Sequence, residues 1–406
     1  MSKPKPNPAA SQSYPSIVVS WLMLRFVLAL VVVIGSANRP ETALEKDIAV
    51  WPPASSFGRW LDRVLVRPWQ RWDTEYYLNI AERGYRLDDG STQFHPLYPW
   101  MGRVFGDVLG GNMLLGLLAA SSVCGLLFLI GFERLARLDL SPGASHRAAV
   151  YLLHAPLAFV LFAPYTEALF LLSSVVVFLM ARRRAWWMAG TAAGLAALTR
   201  QQGVFLLIPL AWELWEWSGR DWRKVLGNWR SAMSLALAPA GLLVWLVYRA
   251  VVLADIAFDV YRPQTWIYGL LISTGATRVI PEQGFVVPWR ALGAAFSNPR
   301  PTTVVDLILA GIFVLMFVWG GRSLWRLRPS YFLYSAAVLL VSFSYFTGSF
   351  QPYMGLPRHC FLAFPLFLPV ASWAERRNFD VPIILLGLAG MLLLALFYST
   401  HGVWVP

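Results

Sequence analysis

The string Arg71-Trp72-Asp73-Thr74-Glu75-Tyr76-Tyr77 and, further along the same loop, Phe94-His95-Pro96-Leu97-Tyr98-Pro99 hold the residues of this chain best suited to chemistry. Asp73 stands at the expected start of a helix running from near Trp72 to just before Gly84. The positive end of the helix dipole suits a carboxylate there, and Gly84 suits the C-terminal cap. Such a carboxylate can take a proton from a hydroxyl, as a general base does. Trp72, Tyr76 and Ile80 share one stripe at helical spacing, and with Tyr98 the aromatic faces could stack on a ring. Each residue also has a plainer reading: Asp73 as a cap, the aromatics as an interfacial belt, Asp88-Asp89-Gly90 as a turn. His95, placed before a proline, is either a packed histidine or a proton carrier.

The elements that must position these residues are membrane helices. Of 406 residues, 57% are hydrophobic and 14% charged, and the apolar residues come in long runs, which points to an all-α polytopic membrane protein. No segments of period-two alternation suggest an outer-membrane barrel. Spans are expected at 16–36, 111–131, 148–164, 165–181, 185–199, 203–217, 231–252, 303–321, 330–347, 359–374 and 381–400, eleven in all. The two at 185–199 and 203–217 are short for a hydrocarbon core about 30 Å thick.

Charge sets the expected orientation. A cytoplasmic tail over 1–15 puts Lys3, Lys5, Arg134, Arg137, Arg147, the Arg182-Arg183-Arg184 run, Arg220, Arg223, Lys224, Arg230, Arg322, Arg326, Arg328, Arg376 and Arg377 inside. The short outer loops then keep only Arg200 and Arg358. The protein is expected in the cell membrane as one domain over 16–400, with external loops at 37–110 and 253–302. In the first loop Phe57, Trp60, Leu61, Val64 and Leu65 make one helical face, opposite Arg59, Asp62, Arg63 and Arg67, as in a helix lying on the outer leaflet. The net charge of +12 reads as topology and affinity for membrane lipid rather than nucleic acid.

Cys124 and Cys360 form neither a disulfide framework nor a CxxC pair. There is no Walker A loop, no GxGxxG, no HExxH and no Asp-x-Asp pair, so no cofactor and no metal is expected, and a nucleotide-linked donor is disfavoured. No internal repeat is evident, which weighs against the alternative of a transporter or lipid flippase.

Arg200 closes Leu198-Thr199-Arg200-Gln201-Gln202-Gly203, and Arg358 sits in Leu356-Pro357-Arg358-His359, both on the expected side of Asp73. Two arginines at the mouth of an apolar bundle suit a phosphate head group, whose oxygens a guanidinium grips as a fork. Glu75 or Glu167 could orient Asp73 or bind a second substrate. Arg25, inside the first span, either faces a cavity or snorkels.

Taken together, Arg71-Trp72-Asp73 through Tyr85, Phe94 to Pro99, Phe162-Ala163-Pro164-Tyr165-Thr166-Glu167-Ala168-Leu169, Gly194 to Arg200 with Gly203, and Pro357-Arg358-His359 with Phe364-Pro365-Leu366-Phe367 resemble the PIG-V family and its bacterial relatives. These are the transferases that add the second mannose to GPI anchors. The resemblance runs in order from about 71 to 370. It implies a GT-C type membrane glycosyltransferase, inverting, with a polyprenyl-phosphate sugar donor, mannose as the expected sugar, and a glycolipid or glycan acceptor outside the cytoplasm. On that reading Asp73 is the catalytic base and Arg200 and Arg358 bind the donor phosphate. Trp72, Glu75, Tyr76, His95, Tyr98, Tyr165, Glu167, Gln201 and His359 contact substrate. The chain departs from the family pattern at His95, where an aromatic is usual, and at Gln201-Gln202, where a proline is.

Overall fold

The computed structural model describes residues 16–37, 60, 62–255, 279, 282–297, 299–377 and 379–400. The tail 1–15, most of loop 253–302, and Phe57, Arg59 and Leu61 of the expected interfacial helix lie outside these residues. The helices used below are α1 (Ile17–Ala37), α2 (Asp73–Arg83), α3 (Leu97–Val108), α4 (Met113–Ala136), α5 (Pro142–His154), α6 (Glu167–Arg182), α7 (Trp186–Thr199), α8 (Leu207–Trp217), α9 (Leu237–Val251), α10 (Pro288–Ser297), α11 (Pro301–Leu327), α12 (Pro329–Ser344), α13 (Leu356–Phe361), α14 (Phe367–Arg377) and α15 (Asp380–Thr400). Two short strands, β1 (Gly284–Phe285) and β2 (Tyr345–Phe346), pair antiparallel.

Among the described residues, five helical stretches are long and apolar enough to cross a membrane: α1, α4, Trp229–Val251, α11 and α15. They carry their exposed apolar side chains outward, among them Phe26, Leu315, Val318 and Leu386, as a helix in lipid must. A multi-pass membrane protein follows. Each of the eleven expected spans contains a helix, but they are not equivalent. The span expected at 148–164 ends as a helix at His154, because Pro156 cannot donate to a helical ladder and forces Ala155 into extended backbone, after which Pro156–Leu161 is a tight 3-10 segment. The span expected at 359–374 is interrupted at Phe364–Leu366 around Pro365, and the one at 203–217 opens with a 3-10 turn over Gln201–Leu206. At 14 residues, α7 is about 21 Å long, short of the hydrocarbon thickness.

The interior is packed through aromatic rings and small residues. Phe128 and Phe132 of α4, Phe178 of α6 and Tyr334 of α12 all meet Phe364, with centroids 5.3–6.0 Å apart. The helices α3 and α4 approach backbone to backbone where Gly102 and Gly106 face Gly116, and a side chain at Gly116 would collide with the main chain of α3. That contact seats the C-terminal half of the first external loop on a membrane helix.

Candidate active site

The helix α2 starts at Asp73, one residue later than the sequence suggests, and ends on Gly84, whose N–H bonds the Ile80 carbonyl. Its N-terminus is pinned on both sides. Tyr398 of α15 donates to the Trp69 carbonyl at 2.6 Å, fixing the approach of the chain. Thr74 donates to the Pro164 carbonyl at 3.4 Å. Between these anchors Trp72 takes φ +58°, ψ −127°, a conformation costly for any residue with a Cβ. Strain of that kind persists where the surroundings over-determine the backbone, and here it aims Asp73.

Asp73 meets Arg358, the guanidinium Nη2 donating to Oδ2 at 2.5 Å. Arg358 is carried on the first turn of α13 and lies over the Tyr165 ring at 4.9 Å. Gly355, at φ +73°, precedes α13, and a Cβ there would fall on the Arg358 Nε. Behind it, Glu167 at the N-terminus of α6 is fully buried and stands 3.8 Å from that Nε. Arg200 donates to the same Glu167 oxygen at 2.5 Å and to the Thr166 hydroxyl at 2.7 Å. Four side chains from sequence positions 73 to 358 thus form one row, Asp73, Arg358, Glu167, Arg200, of alternating sign and zero net charge.

This row borders a cavity of ≈ 110 Å³ lined by Asp73, Tyr77, Gln93, Phe94, His95, Thr166, Thr199, Arg200, Gln201, Gln202, Gln283, Tyr345, Thr347, Met354, Arg358 and His359. The rest of the lining is uncharged and mostly polar, with Phe94 and Met354 among it. The His95 Nδ1 lies 2.7 Å from the Ala197 carbonyl; since a carbonyl only accepts, Nδ1 carries the hydrogen and Nε2 keeps its lone pair. Burial pushes this imidazole down to about 3, against the bond to Ala197 and helped by Arg249 and Arg200. It is therefore neutral at ordinary pH. Glu167 Oε2, Arg358 Nε, His95 Nε2, Gln283 Oε1 and the Tyr165 hydroxyl are all buried without a hydrogen-bond partner among the described residues. Buried polar groups seldom stay unsatisfied. Their concentration beside one cavity marks a place built to receive a polar ligand.

The structure brings together most of the residues the sequence singles out, and separates some. Asp73, Arg200, Arg358, His95, Gln201 and His359 line the cavity, with Glu167 and Tyr165 directly behind. Tyr76 supports it indirectly, stacked on Phe94 at 4.7 Å. Trp72 and Glu75 are not in the lining. Tyr98 is fully buried in the core, its hydroxyl shared by the Leu117 carbonyl and Ser121, so it offers no face for a ring to stack on. Arg25 neither snorkels nor faces this cavity: it donates to the Phe162 carbonyl at 2.6 Å and lies 5.1 Å from the Trp69 ring. Arg200 and Arg358 are held by carboxylates instead of standing as free cations. Gln93, Gln283, Tyr345 and Thr347 were not expected; β1 and β2 bring Gln283 and Tyr345 to the cavity, and neither strand has a sequence pattern long enough to announce it. Among the described residues no three His, Cys, Asp or Glu side chains gather as a metal site would require.

No family model and no curated protein matches the sequence. Among solved structures the chain is similar to the archaeal oligosaccharyltransferase AglB from Archaeoglobus fulgidus in complex with an inhibitory peptide and a dolichol-phosphate, with a TM-score of 0.50 and 13% identity over 95% of this chain and 56% of that one. It is also similar to ArnT from Cupriavidus metallidurans in the apo state, with a TM-score of 0.49 and 16% identity over 95% of this chain and 77% of ArnT. This chain spans little more than half the length of AglB. The fold is that of the GT-C membrane glycosyltransferases.

Proposed function

We propose that this protein is an inverting membrane glycosyltransferase that moves a sugar from a polyprenyl-phosphate donor to a lipid-linked or cell-envelope glycan acceptor on the extracytoplasmic face. Mannose is the sugar that its PIG-V-like motifs favour. The observation that carries the reading is the pairing of Asp73 with Arg358 at a polar cavity, in a row that continues through Glu167 to Arg200. A base for the acceptor and cations for the departing phosphate are the two things this reaction needs, since a sugar on a phosphate already has a good leaving group. The GT-C fold supports it, and AglB is described with a dolichol-phosphate bound.

In the reaction the acceptor hydroxyl gives its proton to an Asp73 carboxylate oxygen while its own oxygen bonds the anomeric carbon. The bond from that carbon to the phosphate oxygen breaks, and its electron pair leaves on the polyprenyl phosphate. Attack opposite the leaving group inverts the anomeric centre. Arg358 and Arg200 stabilise the charge that gathers on the phosphate, and Glu167 holds both guanidinium groups in place from behind. His95 Nε2, with Gln201, Gln202 and Gln283, offers neutral partners for sugar hydroxyls.

The test is transfer from a radiolabelled polyprenyl-phosphate-mannose in membranes containing wild-type protein or Asp73→Asn. Wild type should form labelled product, and the variant should insert normally yet lose a factor of about 10² to 10⁴, the usual worth of a general base. Activity of Asp73→Asn within about threefold of wild type removes the assignment, since that is under 1 kcal/mol of barrier.

A further inference from the structure

The structure contains a second charged cavity, remote from the first. The helix α6 runs from Glu167 at the catalytic cavity to Arg182, and α7 returns from Trp186 to Thr199. The far ends of these two helices open into a cavity of ≈ 510 Å³ lined by residues that include Arg182, Arg184, Glu213, Glu216, Arg220 and Arg328. Its distance from the catalytic site is about one helix length, roughly 20 Å. By the distribution of Lys and Arg this is the cytoplasmic face.

Depth is marked by tryptophan. Trp186 and Trp217, 5.5 Å apart, stand in the cavity wall, while Trp187, Trp222 and Trp229, close by in the sequence, are exposed. Indole rings collect at the boundary between hydrocarbon and head groups, so this cavity opens at head-group level.

The charge count leaves one cation over. Arg182 forks onto Asp139, both contacts 2.8 Å. Arg328 forks onto Glu213, which also accepts from Ser330. Arg220 reaches Glu216 at 3.3 Å. Arg184 has no side-chain partner among the described residues. The four lining arginines thus have three carboxylate partners, Asp139, Glu213 and Glu216, and the unbalanced charge is +1.

The backbone shows the same emphasis. Among the described residues only four other than glycine have positive φ: Trp72, Arg184, Arg220 and Ala254. One precedes Asp73, and two line this second cavity at φ +61° each, just past the C-termini of α6 and α8. Glycine is the residue that fits such positions without strain. Two arginines held there instead, facing one cavity, point to a use for their charge.

We propose that this cavity binds the head group of an anionic phospholipid from the leaflet opposite the catalytic site, with Arg184 and Arg220 as the cations that meet its phosphate. A phosphodiester carries one negative charge, which matches the unpaired +1. Its acyl chains would continue along the lipid-facing surface, as in other basic pockets between membrane helices. The braced forks of Arg182 and Arg328 set the cavity's shape before the lipid arrives.

The test uses the full-length protein in detergent with Arg184→Gly/Arg220→Gly, since glycine relieves the positive φ while removing the charge. Native mass spectrometry compares retention of phosphatidylglycerol with that of phosphatidylcholine, and thermal unfolding is followed with each lipid and with inorganic phosphate. Wild type should retain phosphatidylglycerol at least fivefold better than phosphatidylcholine and be stabilised by it. The double variant should lose that preference while unfolding no earlier than wild type in phosphatidylcholine. Equal retention of both lipids by wild type overturns the proposal, as does an undiminished preference in the variant. Equal stabilisation by inorganic phosphate alone overturns the lipid assignment and makes this a site for free phosphate. If the variant unfolds earlier in phosphatidylcholine, the two arginines serve the fold and the proposal also fails.

Discussion

The sharpest test of the catalytic reading is Arg358, because the structure makes it answer to two charges at once. It donates to Asp73 at 2.5 Å through Nη2, while its Nε stands 3.8 Å from Glu167 and has no hydrogen bond. Removing a preorganised donor from a developing oxyanion costs about 10² to 10³ in rate, or roughly 3–4 kcal/mol. Arg358→Ala should therefore lower kcat/KM by at least about 10². Arg358→Lys keeps the charge but has one ammonium where the fork had separate Nη2 and Nε donors, so it should lie between, about tenfold down, which is ~1.4 kcal/mol. Because Asp73 and Arg358 touch, Asp73→Asn/Arg358→Ala should lose less than the product of the single losses. The assay is steady-state transfer from a polyprenyl-phosphate sugar, with size-exclusion profiles and donor affinity measured alongside. An Ala variant that is folded and within threefold of wild type, with unchanged donor affinity, refutes the role and leaves the phosphate to another cation.

Two further outcomes are expected. His95 titrates in the unfolded chain near 6.5 and in the folded one at about 3, so the native state is penalised as pH falls below 6.5. At pH 5 the penalty is about 2 kcal/mol, so His95→Gln should narrow the gap in Tm between pH 7.5 and pH 5; an unchanged gap means the imidazole is not buried neutral. For sidedness, Asp89→Cys should react with an impermeant maleimide from outside intact cells and Arg183→Cys only after permeabilisation; the reverse pattern puts Asp73 in the cytoplasm and removes the case for an extracytoplasmic donor.

What could be read from the sequence divides along physical lines. Local signals were legible: the Asp73 helix start, the Gly84 stop and the apolar runs each depend on a few neighbouring residues. Residue types alone also raised Glu167, because charge at a span mouth is expensive enough to need a reason, and Arg200 and Arg358, because two cations at the mouth of an apolar bundle suit a phosphate. The partnerships were not legible. Asp73 and Arg358 are 285 positions apart, and nothing along the chain says that Arg200 turns to Glu167 instead of standing open. Tyr98 was misread for the same reason, since an aromatic beside a proline looks alike on a surface and under a neighbouring helix. The packing of α3 on α4 at Gly102, Gly106 and Gly116, with Tyr77 of α2 set edge-on against the ring, buries it. The breaks inside the spans at 148–164 and 359–374 were not legible, because hydropathy sums residues and ignores that Pro156 and Pro365 interrupt the hydrogen-bond ladder beneath them.

The zero net charge of the catalytic row has a consequence for the proposed reaction. A polyprenyl-phosphate sugar is a phosphodiester with one negative charge, and the polyprenyl phosphate it leaves behind carries nearly two at neutral pH. Asp73 begins as a carboxylate and ends with the acceptor's proton. The total charge in the cavity is the same before and after, so the reaction moves one negative charge from Asp73 to the phosphate. On the proposed reaction Arg358, which donates to Asp73 in the structure, would lose that partner as Asp73 takes the proton, in the same step that makes the phosphate a stronger one. A cation placed only at the phosphate would stabilise the donor before reaction almost as well as the transition state, and so would tighten binding without speeding the chemistry. If Arg358 is shared between base and leaving group as proposed, the row would reserve part of its attraction for the moment the charge moves, while the contacts of Glu167 with Arg200 and Arg358 would keep both arginines in the site as the product leaves.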